Sequence, residues 1–391
     1  MFIVHVIGSL DPGLGGPPQV AAALASVQQR RGHRVAIAHS GRDDRDALIR
    51  EYEKNPGFTD IASIPADANW PGAIRGLDAL TAEQIREADV LHFHGVWEPL
   101  LVAAAATARS HGIPYVIRPA GMLDPWSMRQ KSFKKAVAMR LVFRRVIRQA
   151  AFIHVLTDKE AGDVKLLGTG TPTRLIPNGV HADLLDRPGD GTAFRQSQTK
   201  LGDAPYVLFM ARLHYKKGLD RLVDGFAELA ERQPELHLVI AGPEEGDGDN
   251  ARAQVEAAGL RARVHFVGPL YGELKQSAMR GATCFALPSR QEGFSVALLE
   301  ALGAGCPIVI SEDCHFEHAQ RAGAGIVSDT TPAAYANALA TYTSDPDAAR
   351  EAGRLGKELI RTHYTWDAVA EQLDAAYTEA CNHNPKQARS A

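Results

Sequence analysis

Residues 288–311 read PSRQEGFSVALLEALGAGCPIVIS, and the succession of residue types in them decides the fold. Cys284–Leu287, just before, is a short apolar run that stops at Pro288, Ser289 and Arg290, as a strand does on entering a turn. Gly293 gives the turn backbone freedom, and Ser295 stands where an N-cap residue would. Residues 296–302 have helical composition until Gly303 and Gly305 end it, and 307–311 is a β-branched run. The expectation is a strand–turn–helix–strand unit. Its turn presents backbone N–H groups at a helix N-terminus, a natural seat for a diphosphate.

Two carboxylates flank that seat. Glu292 lies in the turn and Glu300 roughly two helical turns further on, so both can face one ligand. Phosphate repels a carboxylate, so these groups serve something else, and sugar hydroxyls are the obvious choice. The plainer alternative is that Glu292 caps the helix and Glu300 is surface charge. The pattern PSxxEGF…LEAxxxGxP, with its Glu-x7-Glu spacing, resembles the family-4 retaining GT-B glycosyltransferases. The resemblance implies that Glu292 contacts the donor sugar and Glu300 the ribose. It also implies that Phe294, Ser295 and Val296 give backbone contacts to the diphosphate.

A chain of 391 residues is longer than one ordinary core and suggests two domains. An apolar content of 45% with 23% charged residues is that of a globular protein, and a net charge of −3 gives no global sign of nucleic acid as partner. Cys284, Cys306, Cys314 and Cys381 form no CxxC pair, which fits reduced thiols in a cytoplasmic enzyme rather than a zinc or disulfide framework. Phe2–Ile7 is too short for a signal peptide or a membrane span.

From the start, Phe2–Ile7 reads as a buried strand, followed by a glycine-rich turn, a helix over about 19–31 and a strand over 34–38. Pro18 occupies the third glycine position of G-x-G-x-x-G, so a dinucleotide-dependent dehydrogenase is disfavoured. The loop instead resembles the GG-containing first loop of GT-B enzymes, which implies that Gly15 and Gly16 let the backbone approach donor phosphate and acceptor. Residues 41–88 read as helices and loops. A strand over 90–93 then carries His92 and His94 to one side, with Trp97 in the loop beyond. His94 there is a proton relay, a hydroxyl partner or a satisfied polar group, and Trp97 stacks on a sugar or plugs the surface.

The next strand runs into Arg118-Pro-Ala-Gly-Met-Leu-Asp-Pro-Trp, similar to a loop of polysaccharide-assembling members of the family. Ala120 departs from the Arg or His usual before that glycine, so Arg118 and Asp124 become the acceptor-side candidates together with Trp97. Residues 129–148 hold eight Lys or Arg and no acid, with Met139, Val142, Phe143, Val146 and Ile147 in an apolar stripe. This is a core helix with a solvated face or a contact for an anionic membrane or acceptor. IPNGV at 176–180 resembles the family's end-of-domain signature, and 187–203, rich in Gly, Asp, Gln and Ser, reads as a linker.

A second array starts at Tyr206–Met210, and Arg212 and Lys217 before Gly218 resemble the family's ARLxxxKG. Two cations at a strand's carboxyl end can neutralise a leaving diphosphate without metal, with Lys216 expected in solvent. Asp247-Gly-Asp249 looks like a metal-binding DxD, but an acidic glycine-rich turn is ordinarily a solvated loop, and no metal is expected. Gly268 and Leu270 fall in the stretch that in the family sandwiches the donor base.

The full expectation is α/β, GT-B: two facing doubly wound, Rossmann-like domains with a C-terminal helix crossing back. The boundaries are 1–186, a linker 187–203, 204–364, the crossover helix 365–382 and a tail 383–391. The implied reaction is retaining transfer of a sugar from a UDP- or GDP-linked donor to a saccharide or lipid-linked saccharide hydroxyl, in cell-surface polysaccharide assembly. No cofactor is expected, and the expected location is cytoplasmic, peripheral at the inner face of the membrane. Arg212, Lys217, Glu292 and His94 form the expected catalytic set. The alternatives are a GT-B enzyme with a small sugar or sugar-phosphate acceptor, or a catalytically silent nucleotide-sugar-binding partner.

Overall fold

Short runs of Val, Ile, Leu and Ala bounded by turns are the mark of strands covered on both faces, and they pair here in parallel throughout. The computed structural model describes residues 1–11, 16–39, 61–66, 68–70, 72–129 and 137–382. These fall into two units, residues 1–178 with the helix Trp366–Asn382, and Gly179–Thr365.

The first unit contains β1 (Phe2–Ile7), β2 (Arg34–His39), β3 (Ala62–Pro65), β4 (Val90–His94), β5 (Tyr115–Arg118), β6 (Phe152–Val155) and β7 (Thr173–Leu175). They form one sheet of order β3-β2-β1-β4-β5-β6-β7. The second contains β8 (Tyr206–Met210), β9 (His237–Ala241), β10 (Val264–Gly268), β11 (Cys284–Leu287), β12 (Ile308–Ser311) and β13 (Gly325–Ser328), ordered β10-β9-β8-β11-β12-β13. Both orders are those of a doubly wound sheet.

Burial explains the helices that cover these sheets. In the second unit, Leu222, Val223, Phe226 and Leu229 recur at helical spacing on Leu219–Arg232 and are fully buried. In the first, Trp366, Val369, Leu373 and Tyr377 on the C-terminal helix pack in one cluster with Ile3, Val90 and Val116 of the sheet. The last helix of the chain is thus part of the first unit's core.

Three sequence expectations change. Within 41–88, read as helices and loops, β3 joins the sheet edge beside β2. It has four residues, of which only Ile64 is buried, so no apolar periodicity could announce it. The expected linker 187–203 contains the helix Thr192–Ser197. There Phe194 is wholly buried against Tyr206, with ring centroids 5.7 Å apart, and its N–H donates to Ser277 Oγ at 3.0 Å. One aromatic anchor suffices to pin a polar segment that has no repeating apolar pattern.

The basic segment 129–148 is not one α-helix in its described part. A π-helical turn, Met139–Phe143, leads into the α-helix Arg144–Arg148. Phe143, Val146 and Ile147 are buried in the first unit's core with Met139 and Val142 packed against it, while Arg140, Arg144, Arg145 and Arg148 are exposed. Lys131, Lys134 and Lys135 lie outside the described residues. Among the described residues no helix is long and apolar enough to cross a membrane.

Candidate active site

In each sheet the strand order reverses beside the first strand, between β1 and β4 and between β8 and β11. Connections then depart to opposite faces, and the loops at the strands' carboxyl ends part around a crevice, where ligands of such sheets bind.

In the second unit the loops after β8, β11 and β12 are stitched together there. Arg290 N–H donates to the Lys216 carbonyl at 2.7 Å, Glu292 N–H to the Asp313 carbonyl at 3.2 Å, and Ser311 Oγ to the Ser289 carbonyl at 2.6 Å. Gly218 is required for this approach: its φ is +71°, and a Cβ there would sit 2.2 Å from the Pro288 oxygen. The Arg290 guanidinium adds a two-pronged bond to Asp220, at 2.7 and 2.5 Å, and lies 4.1 Å over the Tyr215 ring.

This packing brings Lys217 into an ion pair with Glu292, whose carboxylate also accepts from Ser289 Oγ at 3.0 Å. Only 15% of the Lys217 side chain and 8% of the Glu292 side chain are exposed. Glu300 pairs with Lys275 at 2.6 Å, and Arg212 pairs through both carboxylate oxygens of Glu245 at 2.8 Å. Arg212 stands well out in solvent, with 59% of its side chain exposed. Lys216 is half-buried rather than solvated, because its carbonyl and N–H are held in the turn.

The helix Val296–Gly303 starts beside Glu292. Ser295 occupies its N-cap, but the hydroxyl makes no capping bond to the first-turn N–H groups. Phe294 packs between Phe316 and Tyr364, at centroid distances of 5.3 and 5.9 Å. Gly268 ends β10 with φ +72°, its carbonyl accepts from Gly242 N–H at 2.9 Å, and Leu270 packs on the second unit's core. Asp247 is the buried N-cap residue of Gly248–Ala257, and the fully exposed Asp249 pairs with Arg252. The Asp247 carboxylate does not cap that helix: it accepts from Asn250 Nδ2 at 3.4 Å, while the Gly248 N–H goes to Glu244 Oε1 at 2.9 Å. Chemically, the arrangement offers a polyanion a lysine, an arginine and a helix N-terminus, each cation already balanced by a carboxylate.

The first unit's reversal is different in kind. His94 ends β4 and is 2% exposed, directly beside Arg118 of β5, also 2% exposed. Burial, with His5 and Arg118 nearby, holds the His94 imidazole well below its ordinary 6.5. Arg118 donates to Asn178 Oδ1 at 2.6 Å, and burial lowers its guanidinium to about 10 despite Glu160 nearby. Glu160 accepts from Gly121 N–H at 2.6 Å and Leu156 N–H at 2.8 Å, fixing the loop in which Ala120 takes φ +51°. Trp97 donates to the Met122 carbonyl at 3.3 Å and meets Phe143 edge-on, while Asp124 accepts from Ser127 N–H at 2.8 Å. Gly16 opens the helix Gly16–Arg30, with nothing within 4 Å of where a Cβ would stand. Gly15 lies outside the described residues.

Sequence reasoning missed Glu245 and Lys275, the counter-ions of Arg212 and Glu300. No spacing rule links a residue to a partner 33 or 25 positions away on another element or loop. It also missed His5, His154 and Tyr377, which surround His92 and His94.

Comparison with known proteins agrees with this architecture. The family described as "Glycosyl transferases group 1" matches residues 190–359, and "Glycosyl transferase 4-like domain" matches residues 15–179. A D-inositol 3-phosphate glycosyltransferase of Corynebacterium efficiens is 30% identical over 62% of this chain and 60% of that relative. The match thus spans less than two thirds of that relative's length. A phosphatidyl-myo-inositol mannosyltransferase of Mycobacterium leprae is 26% identical over 95% of each chain. Among solved structures, Anabaena HepE in complex with UDP and glucose superposes with a TM-score of 0.75 at 18% identity, covering 97% of this chain and 100% of that one. With two Rossmann-like sheets in sequence and a family match to each, this chain belongs to the group 1 glycosyl transferases, family 4, of the GT-B fold.

Proposed function

We propose that the chain moves a glycosyl group from a nucleotide diphosphate sugar to a hydroxyl of a saccharide or lipid-linked saccharide, with retention at the anomeric carbon. The observation that carries the reading is the Lys217–Glu292 pair, beside the start of Val296–Gly303, which the Ser295 hydroxyl leaves uncapped, at the second unit's strand-order reversal. Charge grows on the diphosphate as the glycosidic bond breaks. A preorganised lysine, an arginine and a helix dipole stabilise that charge without a metal ion. Glu292, released from Lys217 by the incoming diphosphate, is then an acceptor for sugar hydroxyls, and Glu300 for those of the ribose. Arg118, Trp97 and Asp124 are the acceptor-side candidates in the first unit.

With the leaving phosphate taking the acceptor's proton on the same face, no strong protein base is needed. The related inositol-phosphate and phosphatidylinositol enzymes support an acceptor bearing hydroxyls, free or lipid-linked. A thermal-shift screen against UDP-, GDP- and ADP-sugars tests donor use, since a ligand of the native state raises Tm. Proton NMR of the product then reads the anomeric configuration, and an EDTA-treated sample the need for metal. Inversion, or loss of turnover restored by manganese, overturns the corresponding part.

A further inference from the structure

One face of the first sheet, under the helices Gly16–Arg30 and Trp366–Asn382, is apolar in its lower rows, at Ile3, Val90, Val116 and Phe152. Two residues further along each strand the same face turns polar, with His5 beside His92. Beyond that row His94 stands beside Arg118, and His154 follows on β6. All of these side chains are buried. Burial holds His5 at about 4 and His154 at about 3, and keeps His92 and His94 well below 6.5, so each ring is neutral with one N–H and one bare nitrogen.

Neutrality lets two carbonyls, the Ile176 backbone oxygen and the Gln28 side-chain oxygen, orient the rest. The Ile176 oxygen, 2.8 Å from His154 Nε2, can only accept, so His154 carries its proton on Nε2 and its Nδ1 is bare. His92 Nε2, 3.3 Å away, therefore donates, and His92 Nδ1 is bare. The Tyr377 hydroxyl, 2.6 Å from that nitrogen, gives it its proton. On the other side of the row the Gln28 side-chain carbonyl faces His5 Nε2 at 2.7 Å, and since an amide oxygen can only accept, His5 Nε2 donates. His5 Nδ1 is bare, and His94 Nε2, 2.9 Å away, donates to it. The chain ends at His94 Nδ1, a bare, buried acceptor with no partner among the described residues. Beside it, Nε and Nη1 of Arg118 are buried donors with no partner among them either.

We propose that Gln28, through His5, locks His94 as the Nε2–H tautomer, and that His94 Nδ1 and the Arg118 N–H groups together hold one hydroxyl of a saccharide substrate. The choice of a saccharide rests on the glycosyl-transfer reading above. A hydroxyl gives one hydrogen bond and accepts others, which matches an acceptor beside donors. A phosphate would meet the bare lone pair of His94, and an ammonium group would meet the Arg118 cation. Orphaned buried polar groups cost stability until paired, so the fold keeps them for a ligand. Arg118 and Glu160 are the charged groups facing this row, and Glu160 is already engaged by two backbone N–H groups.

Long-range proton–nitrogen NMR of the full chain with labelled histidine tests the lock, the His94 signals being assigned by their loss in His94→Asn. In the ligand-free protein His94 is expected with a protonated Nε2 and a bare Nδ1. Gln28→Leu is expected to abolish that single form, and Gln28→Glu, whose carboxylate can only accept, to restore it. A proton on His94 Nδ1 in the parent, or an unchanged His94 signature in Gln28→Leu, overturns the lock. These spectra need no substrate, so they stand or fall whatever the chain transfers, and the parent spectrum needs no variant to fold.

The saccharide arm adds UDP, GDP, UDP-glucose, GDP-mannose and methyl α-glucoside and α-mannoside in turn. A His94 Nδ1 shift with a sugar nucleotide but not its nucleotide assigns the hydroxyl to the donor sugar, and a shift with a methyl glycoside assigns it to the acceptor. In either case Gln28→Leu should weaken that ligand by up to about tenfold. A shift with the bare nucleotide, or with none of the probes, overturns the hydroxyl subsite.

Discussion

The two units repeat one topology and fill its crevice with opposite chemistry. At the β8/β11 reversal the polar groups are charged, matched in ion pairs, and carried on loops that reach solvent, as with Lys217–Glu292 and Arg212–Glu245. At the β1/β4 reversal they stand on the strands themselves and are fully buried, a row of neutral imidazoles joined to one another with the Arg118 guanidinium beside His94. The difference follows from where the side chains start. A loop residue can keep its charge by staying wet, whereas a strand residue under two helices must discard its charge or find a partner. The first arrangement suits a polyanion, because an entering diphosphate only exchanges one counter-ion for another. The second suits a neutral hydroxylated ligand.

The sharpest way to break this contrast is to remove the cations. Lys217→Ala and Arg212→Ala should each lower kcat by on the order of 10²-fold or more, with donor affinity changed less, as for preorganised charge stabilisers elsewhere. Lys217, nearly buried against Glu292, should show the larger loss, since the more exposed Arg212 works in a better-screened setting. Steady-state kinetics with the donor found in the thermal screen reads both, and near-normal turnover in the two variants removes the clamp.

Next in size is the split between the glutamates. Glu300→Ala should weaken the bare nucleoside diphosphate, whereas Glu292→Ala should spare it and weaken the sugar nucleotide. Each loss should be about 1.5–3 kcal/mol, the range for a hydrogen bond to a charged group. Calorimetry with both ligands decides it. Equal losses for both ligands in both variants would refute the division.

How far such features were readable from the chain depends on sequence distance. Strand, turn and helix around Glu292 lie within one stretch of residues, so residue type and glycine placement located them nearly to the residue, and β11 and β12 fall where expected. Ser295 is at the N-cap by position, yet its hydroxyl does not cap, which no residue type could announce. β3 escaped because an edge strand with one buried side chain has no alternation to detect. The imidazole row escaped because Tyr377 reaches His92 across 285 positions, and only the packing of the C-terminal helix brings them together.

The first unit's neutral row should make itself felt as acid sensitivity. Its histidines are held below their ordinary value, so between that value and the folded one the unfolded chain binds more protons than the folded chain. Stability therefore rises with pH through this window. It is lost as pH falls from 6.5 toward about 4 for His5 and about 3 for His154, at up to about 1.4 kcal/mol per pH unit for each histidine. His237, His265 and His318 of the second unit shift the same way but are only partly buried, so the loss should concentrate in the first. Amide hydrogen exchange followed across that window reads each unit separately. Tyr377→Phe, which removes the hydroxyl that donates to His92 Nδ1, should cost about 1–3 kcal/mol in a urea melt. An acid loss shared equally by the units would mean the row is hydrated.

The smallest effect per residue concerns the basic segment, whose described arginines are exposed. Arg140, Arg144, Arg145 and Arg148 point outward while Phe143, Val146 and Ile147 are buried in the core, so the apolar stripe is already used by the fold. Membrane contact, if the chain makes it, must then be electrostatic rather than by insertion. Each cation near an anionic surface contributes about 1 kcal/mol, screened within a Debye length. Sedimentation with anionic vesicles should therefore show binding at low salt that fades as salt rises, and none with neutral vesicles. Replacing Arg140, Arg144 and Arg148 by Glu should abolish it and leave the melt almost unchanged. Among the described residues, the substitution breaks the Arg144 bond to the Gly168 carbonyl, at 3.3 Å and exposed. Equal binding by the triple variant, or no binding by the parent at low salt, would leave these arginines as the solvated face of a core helix.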